Sequence, residues 1–547
     1  MKKHTLLLFT VVLILLTNRV HSQGCYWVAF SDKNNSEYSF NNPEIFLSQR
    51  ALDRRLRQNI AIDSLDLPVN QWYIDSVLTL DAVLIHKSKW LNGITVKTEN
   101  ENFQKNVFNL PFVKNVQLTK PLTSTKSSFN KFKEQDNDLK ESIDTSFYGP
   151  SVYQTGLLNG QFLHNQGFRG KDKHIAVLDA GFLNADIYAA FDSLWINEQI
   201  LGTKDFVDPE QDIFKTHYHG MSVLSCMGGN VPGELIGTAI KASFWLLRTE
   251  DAASEYLIEE DNWVAAAEFA DSAGVDIINS SLGYFEFDDP EMNHTYSDMN
   301  GNSTRVTRAA NIAVKKGMLV FSSAGNEGND SWKYIIAPSD GDYVMAVGAT
   351  DSYGVAASFT SHGPASDGDV KPNIAAVGLN TYLQRSDGYL GYGSGTSFSS
   401  PVMAGMAACL WEAFPDATAQ EIKQAVESSA SLFNKPDSLL GFGIPDMKMA
   451  ALILGSELTV EWEKDKNWIV YPNPVNDYLF IQYKEETAPR KFAIEILSLD
   501  GRLIRKWVNH GSSRYIISGL HSLPSGILLM RIQSENNSET VKLFKYR

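Results

Sequence analysis

The sequence GTSFSSP at residues 395–401 leads directly into an apolar stretch, VMAGMAACLW, at residues 402–411. This pattern predicts a helix whose first turn contains Pro401, because the first turn of a helix needs no backbone N–H donor. Ser397 is then placed at a helix N-terminus, where unpaired N–H groups and the helix dipole favour a developing negative charge. Taken alone, the pattern is more typical of a serine that caps an ordinary helix.

Two upstream segments change that interpretation. HIAVLDAG, at residues 174–181, predicts a buried strand ending in Asp179, and open α/β sheets carry their sites at the carboxyl ends of such strands. THYHGMSVL, at residues 216–224, places His219 before a glycine and a helix-like apolar run. Each segment by itself predicts only a capping carboxylate or a surface imidazole. Together with Ser397 they give an Asp, His, Ser order that one class of serine proteases uses.

At these residues the chain resembles the subtilisin-like serine peptidases, and two more segments extend the resemblance. SAGNEG, at residues 323–328, matches the segment that carries the family's oxyanion-hole asparagine, here Asn326. INSSLG, at residues 278–283, resembles the strand that pairs with the substrate backbone. The five motifs occur in the family's order between about residues 148 and 452. The chain departs from the family in having Met-Ser after the His-Gly pair and Phe-Ser after the serine.

The resemblance implies a role for each of these residues. Ser397 would attack the carbonyl while His219 takes its proton, and Asp179 would orient the imidazole. The amide of Asn326 and the N–H of Ser397 would hold the oxyanion. His217 is a rival base, but only His219 is followed directly by the glycine of the family motif.

The resemblance also implies where the primary substrate pocket lies. Two segments would form its walls, with further residues near Ile336. Those segments consist of Ser281, Leu282 and Gly283, and of Ser323, Ala324 and Gly325. Neither segment contains a carboxylate, which argues against strict selection of Arg or Lys in this pocket.

Length and composition limit the possible functions. The chain has 547 residues, enough for three or four domains, and 43% of them are hydrophobic, so a large core is available. The net charge is 48 − 64 = −16, which argues against a nucleic-acid partner. We expect a monomer that acts on a protein or peptide substrate. The cysteines are odd in number, and no disulfide is predicted among Cys25, Cys226 and Cys409.

Residues 1–22 have the pattern of an export signal. Lys2 and Lys3 precede an apolar run at residues 6–16, and residues 20–22 are acceptable at a cleavage site. A membrane anchor is the alternative, but the run is too short to cross a bilayer. The protein is therefore expected to pass through the periplasm and to be secreted or held at the cell surface.

The block at residues 23–120 predicts a small α+β domain. It contains several strand patterns and a helix from Pro43 to Ile60 with Ile45, Leu52 and Leu56 on one side. Subtilisin relatives carry an inhibitory pro-segment at this place, and an accessory domain is the alternative. Residues 121–147 are polar and charged, which predicts an exposed linker where maturation occurs.

The remaining blocks predict two further domains. Residues 148–455 alternate apolar strands and helices, which indicates an α/β fold with a parallel sheet flanked by helices, as in subtilisin. Residues 468–547 read as short strands between turns, typical of a β-sandwich. Its opening Tyr-Pro-Asn-Pro and basic end resemble the C-terminal sorting domain of the Bacteroidetes type IX secretion system. That resemblance implies the outer-membrane secretion machinery as a partner, and an adhesion or binding module is the alternative.

Three other functions are alternatives to a protease. An esterase or lipase needs G-x-S-x-G and places its Asp and His after the serine. A zinc hydrolase using His217 and His219 would need a His-Glu-x-x-His motif, which is absent from the sequence. The third is a non-enzymatic surface or adhesion protein built on the same scaffold, against which the intact motif residues argue.

No cofactor is expected for catalysis and no catalytic metal site is predicted. A structural calcium ion could bind the loop at residues 285–302, which is rich in carboxylate and amide oxygens. The loop lacks EF-hand spacing, so a solvated loop is the competing interpretation.

Overall fold

The structure is a computed structural model that describes residues 23–122, 131–132, 147–459 and most of 467–545. Within the last range it leaves out residues 472–474, 476–478, 484–490, 499–500, 511–513, 525 and 535–537. The predicted export signal and most of the predicted linker lie outside the described residues. Among those described, no helix is both long and apolar enough to cross a membrane.

The N-terminal domain is a four-stranded antiparallel sheet with three helices. The strands are β1 (Gly24–Phe30), β2 (Ala82–Ser88), β3 (Gly93–Thr98) and β4 (Val113–Pro121), and the helices are α1 (Gln49–Arg57), α2 (Gln71–Leu78) and α3 (Phe103–Val107). The strand order is β2-β3-β1-β4. Alternate residues of β1, such as Tyr26 and Val28, form a core with α2 and α3. Sequence reasoning found the four strands and missed α2.

Helix α1 differs from its prediction. Leu56, expected on a buried apolar face, is 81% exposed, and Ile45 is also exposed. The helix instead buries Arg54 and Arg55, which have essentially no accessible surface. Both guanidinium groups form ion pairs with Asp271 of the following domain. The buried face was therefore set by a charge in another domain rather than by local periodicity.

The peptidase-like domain is built on one sheet with some smaller strand pairs. Its strands are β5 (His174–Asp179), β6 (Ile200–Asp205), β7 (Asn230–Val231), β8 (Leu235–Ile236), β9 (Ser243–Arg248), β10 (Ile277–Ser280), β11 (Leu319–Ser323), β12 (Met345–Thr350), β13 (Ile374–Val377), β14 (Thr381–Gln384) and β15 (Leu390–Gly393). Its helices are α4 (Val152–Gly156), α5 (Gln161–Asn165), α6 (Asp192–Ile196), α7 (His219–Gly228), α8 (Ile258–Ala273), α9 (Arg305–Lys315), α10 (Thr396–Ala413), α11 (Ala419–Ser428) and α12 (Met447–Thr459).

Seven of these strands form a parallel sheet in the order β13-β12-β11-β10-β5-β9-β6. Both faces are covered. Ile175 and Val177 of β5 point into the core shared with α7 and α10, whereas Ala176 and Leu178 point into the core shared with α8 and α9. The predicted α/β class is confirmed, although β6 and β13 were not predicted.

The N-terminal domain packs with the free face of its sheet on α8 and α9. Thr95 of β3 donates a hydrogen bond of 3.0 Å to Asp261 of α8. The guanidinium of Arg305 in α9 lies 5.7 Å from the ring centre of Trp27 in β1. The two helices thus form the docking surface for this domain.

The C-terminal region is rich in strands, as predicted. They are β16 (Trp468–Tyr471), β17 (Leu479–Tyr483), β18 (Lys491–Leu497), β19 (Leu503–His510), β20 (Arg514–Ile517), β21 (Gly526–Ser534) and β22 (Ser538–Lys545). They form two antiparallel sheets, β16-β17-β20 and β19-β18-β21-β22. Residues of both sheets, including Ile481 and Ile494, share one apolar core, so the region is a β-sandwich.

Candidate active site

The predicted site residues meet at the carboxyl edge of the parallel sheet. Asp179 is the last residue of β5, Ser281 directly follows β10 and Asn326 lies shortly after β11. His219 opens α7, and Ser397 lies in the first turn of α10. Parallel strands bring their carboxyl ends together, so segments that are far apart in sequence converge on one cleft.

Asp179 and His219 form a buried pair. Nδ1 of the imidazole lies 2.8 Å from Oδ1 of the carboxylate, which also accepts a 2.7 Å bond from the N–H of Ala180. Asp179 is completely buried, and His219 is 3% exposed. A carboxylate bonded to Nδ1 fixes the ring so that Nε2 faces the cleft as a proton acceptor.

Gly220 allows this pair to form. A Cβ atom at this position would lie 2.5 Å from the carbonyl oxygen of Gly181 and 2.7 Å from Cβ of Asp179, where no side chain fits. In the sequence, the glycine that follows it distinguished His219 from His217. The need for this glycine therefore has a steric cause.

Ser397 and Ser281 are joined by two reciprocal hydrogen bonds. The Ser397 hydroxyl donates to the carbonyl oxygen of Ser281 at 3.3 Å, and the Ser281 hydroxyl donates to the carbonyl oxygen of Ser397 at 2.8 Å. The second bond is needed because Pro401, four residues further on, has no N–H to donate to that carbonyl. Pro401 is the sixth residue of α10 and not in its first turn, which corrects the prediction.

The amide of Asn326 is oriented by Thr396. Its Oδ1 atom accepts bonds of 2.8 Å from the backbone N–H and 3.0 Å from the hydroxyl of Thr396. Because the oxygen is occupied, the amide nitrogen Nδ2 is left as the donor next to the start of α10. A donor held in this way suits a negative charge that develops on a substrate oxygen.

Five of the six predicted substrate-binding residues line the cleft. They are Ser281, Leu282, Gly283, Ser323 and Gly325, and Ile336 lies with them. Ala324 differs, because it is fully buried and packs into the core beneath.

His217 lies beside the site in a different environment. Its ring packs between Tyr218 and Phe132, with centroid distances of 4.5 and 4.6 Å. Its Nδ1 accepts a 3.3 Å bond from the N–H of His219, at the start of α7. Burial, together with the positive groups nearby, lowers the pKa of His217 to about 3. This imidazole therefore supports the helix start and remains neutral.

Two residues of the predicted linker also lie in the cleft. The ring of Phe132 is 4.4 Å from the ring of His219, and Lys131 reaches the carboxylates of Glu250, Glu255 and Glu259. The expectation of a wholly exposed linker is wrong for these two residues. Sequence reasoning missed the three glutamates, although so many carboxylates around the buried start of a helix are an unusual signal.

The described residues include two groups of three carboxylates close enough to hold a cation. One is Glu250, Glu255 and Glu259, which binds Lys131, and the other is the exposed group of Asp342, Asp367 and Asp369. The acids of the loop at residues 285–302 have other roles. Asp289 and Asp298 cap short helical turns, and Asp288 accepts from the N–H of Glu255. These oxygens do not converge on one point within that loop.

Comparison with protein families settles the class of this chain. The model described as "Subtilase family" matches residues 170–443, which contain every candidate catalytic residue. The chain belongs to the subtilase family of serine proteases. The model "Peptidase S8 propeptide domain, Bacteroidota" matches residues 25–135, and "Secretion system C-terminal sorting domain" matches residues 469–546. The sorting domain indicates export by a type IX system to the cell surface or the medium.

Curated relatives agree with this assignment. The chain is 27% identical to the thermostable alkaline protease of Halalkalibacterium halodurans over 323 residues, covering 58% of this chain and 79% of the relative. It is 27% identical to subtilisin E of Bacillus subtilis over 311 residues, covering 56% of this chain and 72% of the relative. Subtilisins need no cofactor for catalysis.

Solved structures show the same fold. Fervidolysin from Fervidobacterium pennivorans, described as a keratinolytic enzyme related to subtilisin, matches with a TM-score of 0.53 and 16% identity, over 96% of this chain and 76% of its own. The epidermin leader peptide processing serine protease of Staphylococcus aureus also has a TM-score of 0.53, with 17% identity, over 78% of this chain and 98% of its own.

Proposed function

We propose that the protein is a secreted serine endopeptidase made as an inactive precursor, with Ser397 as nucleophile, His219 as general base and Asp179 as the residue that orients the base. The observation that carries this proposal is the buried hydrogen bond of 2.8 Å between Asp179 and His219, at the sheet edge where α10 begins. Because the chain belongs to the subtilase family of serine proteases, we infer that this pair takes part in peptide-bond hydrolysis.

The reaction follows from the atoms at the site. The Ser397 hydroxyl attacks the scissile carbonyl carbon as its proton passes to Nε2 of His219, and Asp179 stabilises the imidazolium. The oxyanion accepts hydrogen bonds from Nδ2 of Asn326 and the N–H of Ser397. His219 then protonates the leaving amine, which leaves an acyl-enzyme. A water molecule, deprotonated by the same imidazole, hydrolyses that ester and frees Ser397.

The shape of the cleft suits an extended peptide. Residues 281–283 follow β10 at its rim, with backbone groups that can pair with a substrate backbone. We propose that the substrate is a segment within a protein or peptide chain rather than a chain end, as in the subtilisins that this chain resembles. We propose that the active form is a monomer and that the peptidase domain spans residues 148–459, so that it includes all of α12.

The precursor state is supported by the two linker residues in the cleft. Phe132 covers the imidazole of His219, while the domain at residues 23–120 is docked on α8 and α9. A chain held in this way blocks substrate until the linker is cut. We propose that residues 1–22 are the export signal, that the domain at residues 23–120 is the inhibitory pro-segment and that residues 121–147 contain the maturation site. Residues 468–547 would engage the outer-membrane secretion machinery.

The test uses the mature enzyme and two serine variants, and because Ser397→Ala is not expected to mature by itself, its linker is cut by an added protease and its N-terminal domain is removed. Ser397→Ala should abolish cleavage of casein and labelling by a serine-directed phosphonate, with the label in the wild type found on Ser397 by peptide mass spectrometry. Ser399→Ala is the control, because Ser399 is buried on the same helix and its hydroxyl donates to the carbonyl oxygen of Thr396, away from the candidate catalytic groups. Wild-type protein that neither cleaves casein nor takes up the label would favour the non-enzymatic surface protein.

A further inference from the structure

A buried acidic pocket opens beside the candidate catalytic residues. Glu250 follows β9, Glu255 lies in the same loop and Glu259 is in the first turn of α8. Their side chains are only 2%, 9% and 1% exposed. The ammonium group of Lys131 lies 3.1, 2.8 and 2.9 Å from the three carboxylates, in that order, and 3.0 Å from the carbonyl oxygen of Ser254.

The pocket holds more carboxyl groups than one lysine side chain can pair with, and burial raises the pKa of Glu255 and Glu259. Three carboxylates surround a single ammonium group, and removing such charges from water is costly unless they are paired. One oxygen of Glu255, Oε1, is buried without a hydrogen-bond partner among the described residues. The pocket therefore offers acceptors beyond those that Lys131 uses, and a guanidinium group, with five N–H donors, could use them.

The position of the pocket links it to substrate binding. The residue after Lys131 is Phe132, whose ring lies on the imidazole of His219. From Lys131 to Phe132 the chain therefore runs from the acidic pocket towards the catalytic groups. A substrate bound in the same direction would place in this pocket the side chain of a residue on the amino side of the bond that Ser397 attacks. The same cleft contains Glu250, Glu255 and the rim at residues 281–283.

We propose that Glu250, Glu255 and Glu259 form a substrate subsite that selects a lysine or arginine side chain on the amino side of the scissile bond. This subsite is separate from the primary pocket, whose two walls carry no carboxylate. The inference rests on the proposed protease function and adds a class of substrate to it, namely chains with a basic residue shortly before the cleaved bond. A purely structural ion pair, which only ties the pro-segment down, is the competing explanation.

A mature enzyme whose chain begins after Lys131 distinguishes the two explanations, because it lacks this residue, and mass spectrometry of its N-terminus verifies where it begins. Internally quenched peptides of one parent sequence would carry Lys, Arg, norleucine or Glu at each of the four positions before the scissile bond. At one position, we expect kcat/KM for Lys and Arg to exceed that for norleucine by about 10- to 100-fold, the range for a hydrogen bond to a charged group. Equal rates for Lys and norleucine at all four positions would overturn the proposal.

Variants assign the preference to the pocket. Glu255→Gln with Glu259→Gln should lower the Lys-to-norleucine ratio by about fivefold or more, because two of the three carboxylates lose their charge and only Glu250 is left to attract the side chain. Glu286→Gln is the matched control, since Glu286 is an exposed glutamate at the same cleft, and it should keep the wild-type ratio. A double variant that keeps the ratio would contradict the assignment. If the double variant does not fold, Glu255→Gln alone should lower the ratio at least threefold.

Failure of the protease proposal gives a different result. Titration with a serine-directed reagent counts the competent active sites in each preparation. If the wild-type enzyme is titrated and cleaves all peptides equally, only the subsite proposal fails. If it is not titrated and cleaves no peptide, the protease proposal itself fails.

Discussion

Phe132 lies against His219 with 4.4 Å between the centroids of their rings, although 87 residues separate them in sequence. The contact places a residue of the predicted linker over the proposed general base. A base whose face is covered by the protein's own chain cannot meet a substrate in the same position. Maturation must therefore move or remove Phe132, and the contact leads to the first prediction.

Wild-type protein should lose the N-terminal domain by cutting itself within residues 121–147, whereas Ser397→Ala should keep it. The linker threads through the cleft at Lys131 and Phe132, so it reaches the nucleophile that would cut it. Mass spectrometry of the N-termini of the two purified proteins measures the difference. Identical processing of both would point to another protease.

A second prediction separates the two histidines. His219→Ala should reduce kcat nearly as far as Ser397→Ala, on the order of 10⁶, a magnitude taken from the relative subtilisin. His217→Ala should cost far less, because burial keeps the pKa of His217 at about 3 and its Nδ1 already accepts a bond from the N–H of His219. Steady-state kinetics of both variants on one peptide provide the test, and a reversed order of severity would exclude His219 as base.

Asn326→Ala should lower kcat by about 10²–10³, again a magnitude known from subtilisin, with little change in KM. The loss is confined to kcat because Nδ2 of Asn326 acts on charge that exists only in the transition state. A comparable rise in KM with an unchanged kcat would instead assign Asn326 to substrate binding.

The ion pairs of α1 predict how tightly the pro-segment binds. Arg55 pairs with Asp66 and Asp271, and all three side chains are buried. In the Ser397→Ala precursor, with its linker cut by an added protease, Arg55→Ala should weaken retention of the N-terminal domain by about 10- to 100-fold, because its bonds to two carboxylates are lost while Arg54 still pairs with Asp271 and Lys316 with Asp66. Arg57→Ala, an exposed arginine on the same helix, is the control. Retention is measured by size-exclusion chromatography at a series of concentrations, and equal effects of both variants would contradict the prediction.

The acidic pocket predicts a pH-dependent preference. In the precursor, where Lys131 occupies the pocket, burial raises the pKa of Glu255 to about 7, opposed by Lys131 and reinforced by Glu250, and in the mature enzyme a bound lysine side chain of the substrate would take the place of Lys131. The charged or titratable side chains around Glu255 are Glu250, Glu259, Lys131, Tyr284 and Asp288. Glu255 is charged above this pKa and becomes neutral as the pH falls through it, so attraction for a basic side chain declines towards acid.

The ratio of kcat/KM for a Lys peptide to that for a norleucine peptide should therefore fall between pH 8 and pH 5.5. Any effect of pH on the bond-cleaving step common to both peptides cancels in the ratio. In Glu255→Gln, the ratio should be low and should vary less with pH. A wild-type ratio that stays constant over this range would contradict the titration of Glu255.

Sequence motifs indicate where the candidate site residues lie more readily than they indicate the contacts between domains. Asp179, His219 and Ser397 follow local motifs, and each motif has a local cause, such as the steric need for Gly220. The buried faces of α1 and the linker could not be predicted in this way. Arg54 is buried and Lys131 is largely covered because each pairs with carboxylates more than a hundred residues away. Periodicity within one helix contains no information on such partners.

The C-terminal sandwich should be needed for export and not for catalysis. Its core is formed by residues of its own two sheets, such as Leu479 and Met530, whereas the candidate active site is complete by α10. A chain ending after residue 459 keeps α12 whole and should cleave peptides with the kcat/KM of the full-length mature enzyme. In the native host it should accumulate in the periplasm, while full-length protein reaches the surface or the medium. Activity measured in periplasm and medium for the two chains decides this, and normal export of the shortened chain would favour a binding or adhesion role for the sandwich.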